Sequence, residues 1–288
     1  MAHKRVYVAL DIGGSGGRAI TGKFDGKTLS LQQAGEFSNT YVSIHSGIYW
    51  DILNLFNGIK KTLGKIRQRD GSAPVSIGVD TMGVNFALLD KKGHLIGNPC
   101  YTRVPQKKKV LDIIFNRIPQ DMLFQTTGLQ LTKLNSLYHL VEMHESGSPS
   151  LDIAHNFLML PDLINFWLTG RVVSEYTIAS TSHLLNCRTR EWATDLLEKA
   201  TLPTHIFPDL ISAGNVIDKL HPTVATETGL RDALVVATAS HDTAAAFAAT
   251  PVATDNWACF SSGTWGMLGC ELSEPILSNR ARSCNFAN

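Results

Sequence analysis

The sequence predicts an α/β fold that is internally duplicated, with one whole domain over residues 1–248 and the opening of a second over 249–288. Three observations predict it. A carboxylate, Asp242, stands where an apolar strand (234–239, with Val235, Val236 and Ala237 in a run) gives way to an alanine-rich helix after Thr243. A glycine cluster at 12–18 follows the first strand but is succeeded by another strand instead of a helix. A second hairpin with a small-residue tip spans 257–271, so two such hairpins suggest two halves facing each other across a nucleotide. Residues 255–288 are too few to build a core of their own.

Composition bounds the reading. Of 288 residues, 44% are hydrophobic and 18% charged, which excludes a disordered chain. Twenty-six basic against 25 acidic side chains leave a net charge of +1, so neither nucleic acid nor an anionic membrane is expected as the main partner. Cys100, Cys187, Cys259, Cys270 and Cys284 are odd in number, widely spaced and without a Cys-x-x-Cys pair, which argues against a disulfide framework and a zinc site and reads as buried thiols in a reducing compartment. The apolar run 6–10 stops at Asp11, too short for a signal-peptide core, and no later run approaches a membrane span, so a cytoplasmic protein is expected.

In chain order, 6–11 is a strand and 18–24 alternates as a second. Asp25-Gly26 is a hairpin turn, and Leu29 and Leu31 begin a third strand. The glycines at 13–17 then form a hairpin tip whose backbone N–H groups can approach an anion, a nest in place of a helix dipole, although such tips also occur as plain turns. Asp11 beside them suits a Mg2+ ion or its waters next to phosphates. Asp51 opens an amphipathic helix with Ile52, Leu55, Ile59, Leu63 and Ile66 on one face and Lys60, Lys61, Lys65 and Arg67 on a solvated face. Strands follow at 76–80 and 85–90, and Gly83 between them marks either a bulge or a close approach to the backbone.

Residues 107–117 and 134–145 have helical spacing, punctuated by Gly128 and Pro149, and 161–168 is a helix stopped by Gly170, with Leu163, Phe166 and Trp167 in the core. The Ser- and Thr-rich stretch 174–186 either lines a pocket or passes through as a loop. A strand at 257–260, a tip at 261–264 and a strand at 265–271 make the second hairpin. Asp242, at the N-cap of its helix, has two readings: a cap that accepts free N–H groups, or a base in the crevice at the carboxyl ends of the strands. His241 beside it either holds the same substrate or is a structural histidine.

These stretches resemble the FGGY carbohydrate kinases, which have the actin-like and hexokinase-like ATPase (ribonuclease H-like) fold. The resemblance runs from Val8-Ala-Leu-Asp-Ile-Gly-Gly-Ser-Gly-Gly-Arg18 through Ile77-Gly-Val-Asp-Thr-Met-Gly-Val-Asn-Phe-Ala-Leu-Leu-Asp90. It continues through Leu137-Tyr138, Leu158-Met-Leu-Pro-Asp162, Leu168-Thr-Gly170, Ser174-Glu-Tyr-Thr177, Ser240-His-Asp-Thr243 and Ser261-Ser-Gly-Thr-Trp265. It implies that Asp242 is the general base, that His241, Thr243 and Gly83 contact the sugar, and that Asn85 lies in the sugar-facing wall. It also implies that Gly14, Ser15, Gly16, Gly17 and Arg18 lie along the ATP phosphates from one side and Thr264 from the other, with Asp11 near Mg2+. Domain closure would then keep water from the phosphoryl group.

The implied reaction is ATP-dependent phosphorylation of a ketose at its 1-hydroxyl. L-Rhamnulose stands first among candidate sugars, L-fuculose and L-xylulose are alternatives, and a sugar-binding fragment without turnover is the rival from another class. Family members acting on L-rhamnulose usually carry Trp and Asp where this chain has Met82 and Asn85, and Tyr-Arg-Asp where it has Tyr101-Thr-Arg103. Members also extend well beyond residue 288, and that part would carry most of the adenine pocket. A cleft face left open in the 288-residue chain would be apolar and prone to self-association.

Overall fold

Strand β1 (Arg5–Ile12) buries Val6, Val8, Leu10 and Ile12 and leaves the residues between them half-exposed or exposed, the period-2 pattern of a strand packed on one face. A computed structural model describes residues 5–45, 47–70, 74–102, 108–254, 256–263 and 266–288. β1 turns directly into antiparallel β2 (Gly16–Phe24), so no helix follows the glycines, as expected. Asp25-Gly26 turns β2 into β3 (Leu29–Ser38): Gly26 has φ 97°, and Asp25 Oδ1 accepts the N–H groups of Lys27 and Thr28. A short hairpin, β4 (Tyr41–Ile44) and β5 (Gly47–Trp50), leads to α1 (Ile52–Asp70), whose five expected apolar residues are all fully buried on the sheet. Lys60 on its outer face pairs with Glu227.

β6 (Ser76–Thr81) enters parallel to β1, and β7 (Phe86–Leu89) leaves the sheet. A helical lobe follows: α2 (Lys108–Arg117), α3 (Gln120–Thr127), α4 (Ser136–Glu145) and α5 (Pro149–Asp152), then β8 (Asn156–Met159), which pairs with β7. α4 starts two residues later than the spacing predicts, because Asn135 is extended and stands outside the helix as its cap residue. α6 (Leu160–Thr169) ends where Gly170 takes φ 84° and donates its N–H to Phe166 O. Leu163 is fully buried, and Phe166 and Trp167 pack half-buried against the same core.

The stretch 174–186, open in the sequence, folds into small buried elements. These are β9 (Ser174–Glu175), α7 (Tyr176–Ala179), a 3-10 turn at Ser180–Ser182 and β10 (Leu185–Asn186), which pairs with β11 (Glu191–Trp192). After α8 (Thr194–Lys199), β12 (Leu210–Ile211) pairs with β9, and β13 (Val216–Lys219), α9 (Pro222–Thr228) and β14 (Leu234–Val236) return to the main sheet. The sheet order is β3-β2-β1-β6-β14-β13, with β1, β6 and β14 parallel. One core lies between this sheet and α1, α6 and α9, and a second fills the helical lobe around Phe157, Tyr138 and Leu197.

Past the sheet come α10 (Asp242–Ala248) and the hairpin β15 (Cys259–Ser262) and β16 (Gly266–Gly269), in which Ser261 and Ser262 are strand residues and not part of the tip. α10 buries no residue, and Phe260 and Leu268 are 62% and 72% exposed. Leu277 is the one buried residue among the described residues after 248. The chain then returns to α3 through α11 (Asn279–Ser283): Asn288 N–H donates to Gly128 O at 2.9 Å, and Gln125 Nε2 donates to Leu277 O at 2.7 Å. The five cysteines are unpaired, but none is buried as expected, since they lie on loops and hairpins away from both cores. Among the described residues no helix is long and apolar enough to cross a membrane.

Candidate active site

The parallel strands β1, β6 and β14 end at one edge of the sheet, and the polar residues gather there. Asp11 and Asp80 are register partners across β1 and β6. Beyond β14 the chain stays zipped to β6: Thr238 Oγ1 donates to Val79 O at 2.9 Å, Thr81 N–H donates to Ser240 O at 2.9 Å, and Thr81 and His241 form a parallel bridge. That bridge corrects the placement of Asp242. His241, held extended at φ −88° and ψ 119°, is the N-cap residue, and Asp242 is the first residue of α10.

The Asp242 carboxylate makes only local contacts. Its Oδ1 accepts from Thr243 N–H at 2.6 Å and Thr243 Oγ1 at 3.2 Å, with His241 Nε2 at 3.4 Å, and its side chain is 41% exposed. Thr243 thus directs both its donors at Asp242. Burial lowers the pKa of His241, opposed by the charge of Asp242, so the imidazole is neutral near pH 7. Its backbone N–H donates to Thr177 Oγ1 at 3.3 Å.

Asp80 is the residue that sequence reasoning missed. Burial, then the charges of Asp11 and Asp242, push its pKa up to about 8, against the pull of Arg18. Asp11 and Asp242 therefore both act on Asp80, as does the guanidinium of Arg18, whose Nε and terminal nitrogen both contact Asp11 Oδ2 at 2.8 Å. The signal was available: Asp80 ends its strand as Asp11 ends its own, and parallel neighbours align such ends. Among the described residues no three His, Cys, Asp or Glu side chains approach closely enough to hold a metal by themselves.

The joint between β6 and β7 is a tight turn. Asn85 N–H donates to Gly83 O at 2.9 Å, closing a γ-turn on Val84, which has φ 65°. A β-branched residue there is strained by about 1–3 kcal/mol and persists only when its surroundings fix it. They do so here: Thr181 Oγ1 accepts from Val84 N–H at 3.1 Å, and Ser136 Oγ donates to Val84 O at 2.9 Å. Gly83 is not in a bulge; it is half-buried, and a Cβ would meet Thr181 Cγ2 and Oγ1 at 3.1 Å, so one close approach to its backbone is made within the chain. Asn85, expected in the sugar-facing wall, is 1% exposed; its Nδ2 donates to Gly83 O, and its Oδ1 accepts from Trp50 Nε1 at 2.9 Å and Thr102 Oγ1 at 3.0 Å. Its amide holds the turn from behind. Trp50 in turn meets Tyr41 edge-on at 6.0 Å and Tyr101 at a tilt at 5.1 Å.

At the hairpin tip, Gly13 N–H donates to Gly16 O at 2.9 Å and Asn39 Nδ2 donates to Gly13 O at 2.7 Å. None of Gly13, Gly14, Gly16 or Gly17 has a positive φ, so the tip turns without any left-handed residue. It offers a tight, side-chain-poor backbone beside Ser15 and Arg18. Gly17 has a packing reason of its own: a Cβ would lie 2.1 Å from the Phe37 ring. Gly17→Val is expected to cost about 1–3 kcal/mol through overpacking, read as a lower denaturation midpoint. Thr264, at the second tip, lies outside the described residues, as does Arg103.

A mixed sheet with three parallel strands, carboxylates at their carboxyl ends and a glycine hairpin joining β1 to antiparallel β2 defines the class: an actin-like, ribonuclease H-like ATPase fold. The model of the FGGY family of carbohydrate kinases, N-terminal domain, matches residues 6–248, and the chain belongs to this family. It is 35% identical over 285 residues to a rhamnulokinase of Bacteroides thetaiotaomicron, covering 99% of this chain and 59% of that protein. A rhamnulokinase of Oceanobacillus iheyensis is 34% identical, with coverage of 98% and 59%. The chain thus spans about 59% of the length of these curated relatives.

Among solved structures, a carbohydrate kinase from Novosphingobium aromaticivorans superposes with TM-score 0.77 at 22% identity, covering 96% of this chain and 58% of that one. A xylulose kinase from Rhodospirillum rubrum gives 0.73 at 18% identity, covering 81% and 48%. At these identities the likeness is one of fold.

Proposed function

We propose that this chain is the sugar-binding, base-bearing part of an ATP-dependent ketose 1-kinase acting on L-rhamnulose. The observation that carries the proposal is Asp242, delivered by a clamped strand-to-helix joint to the edge where β1 and β6 present Asp11 and Asp80. In this reading the sugar lies against Gly83, His241 and Thr243. Asp242 takes the proton of the 1-hydroxyl as that oxygen bonds to the γ-phosphorus of ATP, and the bond from the γ-phosphorus to the β,γ-bridging oxygen breaks to release ADP. Neutral His241 can donate to a sugar oxygen without adding charge beside the base. Gly14, Ser15, Gly16, Gly17 and Arg18 line the phosphates from one side and Thr264 from the other.

Mg2+ fits the donor set, since Asp11 and Asp80 are carboxylates with mutual repulsion for a cation to relieve, and Mg2+ characteristically keeps waters and phosphate oxygens as its other ligands. It would neutralise the phosphate charge. The rhamnulokinase relatives support L-rhamnulose over other ketoses.

The test is coupled ADP release with L-rhamnulose, L-fuculose and L-xylulose, run on the 288-residue chain and on the longest reading frame containing it. Turnover highest with L-rhamnulose in the longer form supports the proposal, and turnover with none of the three removes it. A second reading, a sugar binder without turnover, requires sugar binding with no ADP release in either form. The 288-residue chain is also expected to self-associate through α10 and the β15–β16 hairpin, because Phe260, Leu268, Leu272 and Ile276 are all more than half exposed. A single monomeric species in sedimentation velocity across a hundredfold concentration range would exclude this.

A further inference from the structure

We infer that Glu175 is a positioning residue for Asp242. Glu175 is 0% exposed and, among the described residues, has no basic partner in its contacts, an expensive place for a carboxylate. Capping the four-residue α7 does not require it, because the shorter Asp, Asn, Ser and Thr are the preferred caps. The longer side chain reaches further. Its Oε2 accepts from Thr177 N–H at 2.9 Å, Thr177 Oγ1 at 2.6 Å and Ile178 N–H at 3.1 Å, and also from Ser240 N–H at 3.1 Å, 65 residues away in the chain. The Thr177 hydroxyl that it orients accepts in turn from His241 N–H at 3.3 Å.

Residues 238–242 are thus held from two sides: by β6 through Val79 and Thr81, and by Glu175 with Thr177. Glu175 is itself anchored to the start of α6, where Asp162, 1% exposed, accepts from Glu175 N–H and Ser174 Oγ, both at 3.0 Å. A line of buried bonds therefore runs from α6 through β9 to the residue before His241, setting where Asp242 begins its helix. All four bonds fall on Oε2 and the buried Oε1 takes none, so what a carboxylate adds over an amide of the same size is charge, which makes each bond to that oxygen about twice as strong.

The inference rests on the reading of Asp242 as the base, and the test separates the two. Glu175→Gln, close in size, is compared with the parent in two measurements. In the 288-residue chain, amide exchange over 239–243 is expected to quicken about tenfold while α6 is unchanged. In the longest reading frame, kcat for L-rhamnulose is expected to fall about 10- to 100-fold, with sugar KM changed less than threefold, as for a displaced base. In an Asp242→Asn background Glu175→Gln is expected to add less than twofold, since it acts through the missing group.

Unchanged exchange over 239–243 overturns the inference. So does an intact kcat in Glu175→Gln when Asp242→Asn is inactive, or a loss of equal size in both backgrounds. Full turnover by Asp242→Asn overturns the base assignment, and the inference with it, whatever the exchange result.

Discussion

Asp242→Asn is expected to lower kcat by about 10²–10⁴-fold in the longest reading frame, the usual contribution of a positioned general base. Structure and stability should be left alone. The Asp242 side chain is 41% exposed and its Oδ1 accepts only from its immediate neighbours, so an asparagine oxygen can take the same place opposite Thr243 N–H. A surface change of this kind is worth no more than about 0.5 kcal/mol. The joint that fixes the backbone belongs to Thr81, Thr238 and Ser240, which the substitution does not touch. Sugar affinity should stay within a few-fold, because the amide fills the same volume and keeps a polar contact. The decisive combination is ADP release beside isothermal sugar titration: lost turnover with retained binding supports the base role, and turnover within tenfold of the parent removes it.

The parts of this molecule that the sequence predicted were those with local causes. Period-2 alternation marks β1 and β2, and Asp25-Gly26 turns the chain by chemistry confined to four residues. The stripe from Ile52 to Ile66 has one solution, a helix on a sheet. Gly170 stops α6 because only the left-handed region satisfies the last carbonyls there. The rest depends on contacts between distant residues. Nothing near Val84 announces a positive φ, since the turn is fixed by Thr181 and Ser136. The stretch 174–186 is Ser- and Thr-rich because its side chains bond back to buried backbone, Ser182 to Ala179 and Thr181 to Ile178, a use that composition alone does not separate from a loop. α3 went unread because, at eight residues, it shows little periodicity.

The candidate site divides the same way. Asp242, Asp11 and the glycine tip were legible because each stands at the end of a strand, where an α/β sheet binds its ligands. Asp80 was passed over although it satisfies the same rule, because its significance is electrostatic and appears only once β1 and β6 are paired. The glycines were read correctly as a hairpin tip, but their cause is mixed. Gly17 makes room for Phe37, which lies also on Gly58 of α1, so the residue that shapes the glycine turn equally seats the first helix on the sheet.

The second large effect expected is on stability in acid, and it comes from two buried histidines, His139 and His183. His183 is fully buried: its Nε2–H donates to Gln130 O at 3.2 Å, Nδ1 faces Thr127 Oγ1 at 2.9 Å, and the ring meets Tyr138 edge-on at 5.7 Å. Burial lowers its pKa from 6.5 to about 4, and that of His139 likewise, each opposed only by a backbone hydrogen bond. Unfolded, both histidines take up a proton near pH 6.5; folded, they resist until about pH 4. Between these values the unfolded chain binds more protons, so the stability present above pH 6.5 is lost as pH falls, about 3 kcal/mol per histidine by pH 4. Asp80, Asp162 and Glu175, whose pKa values are raised, tilt the curve the other way, which makes the parent's pH profile alone a poor test. His183→Asn isolates the effect, because asparagine tolerates the φ of 64° at this position and does not titrate. Denaturant midpoints should show the variant less stable than the parent at pH 7.5, with the gap narrowing by about 3 kcal/mol at pH 4 as the carboxylate contributions cancel in the difference. A gap independent of pH would mean that His183 takes up its proton in the folded protein as readily as in the unfolded chain.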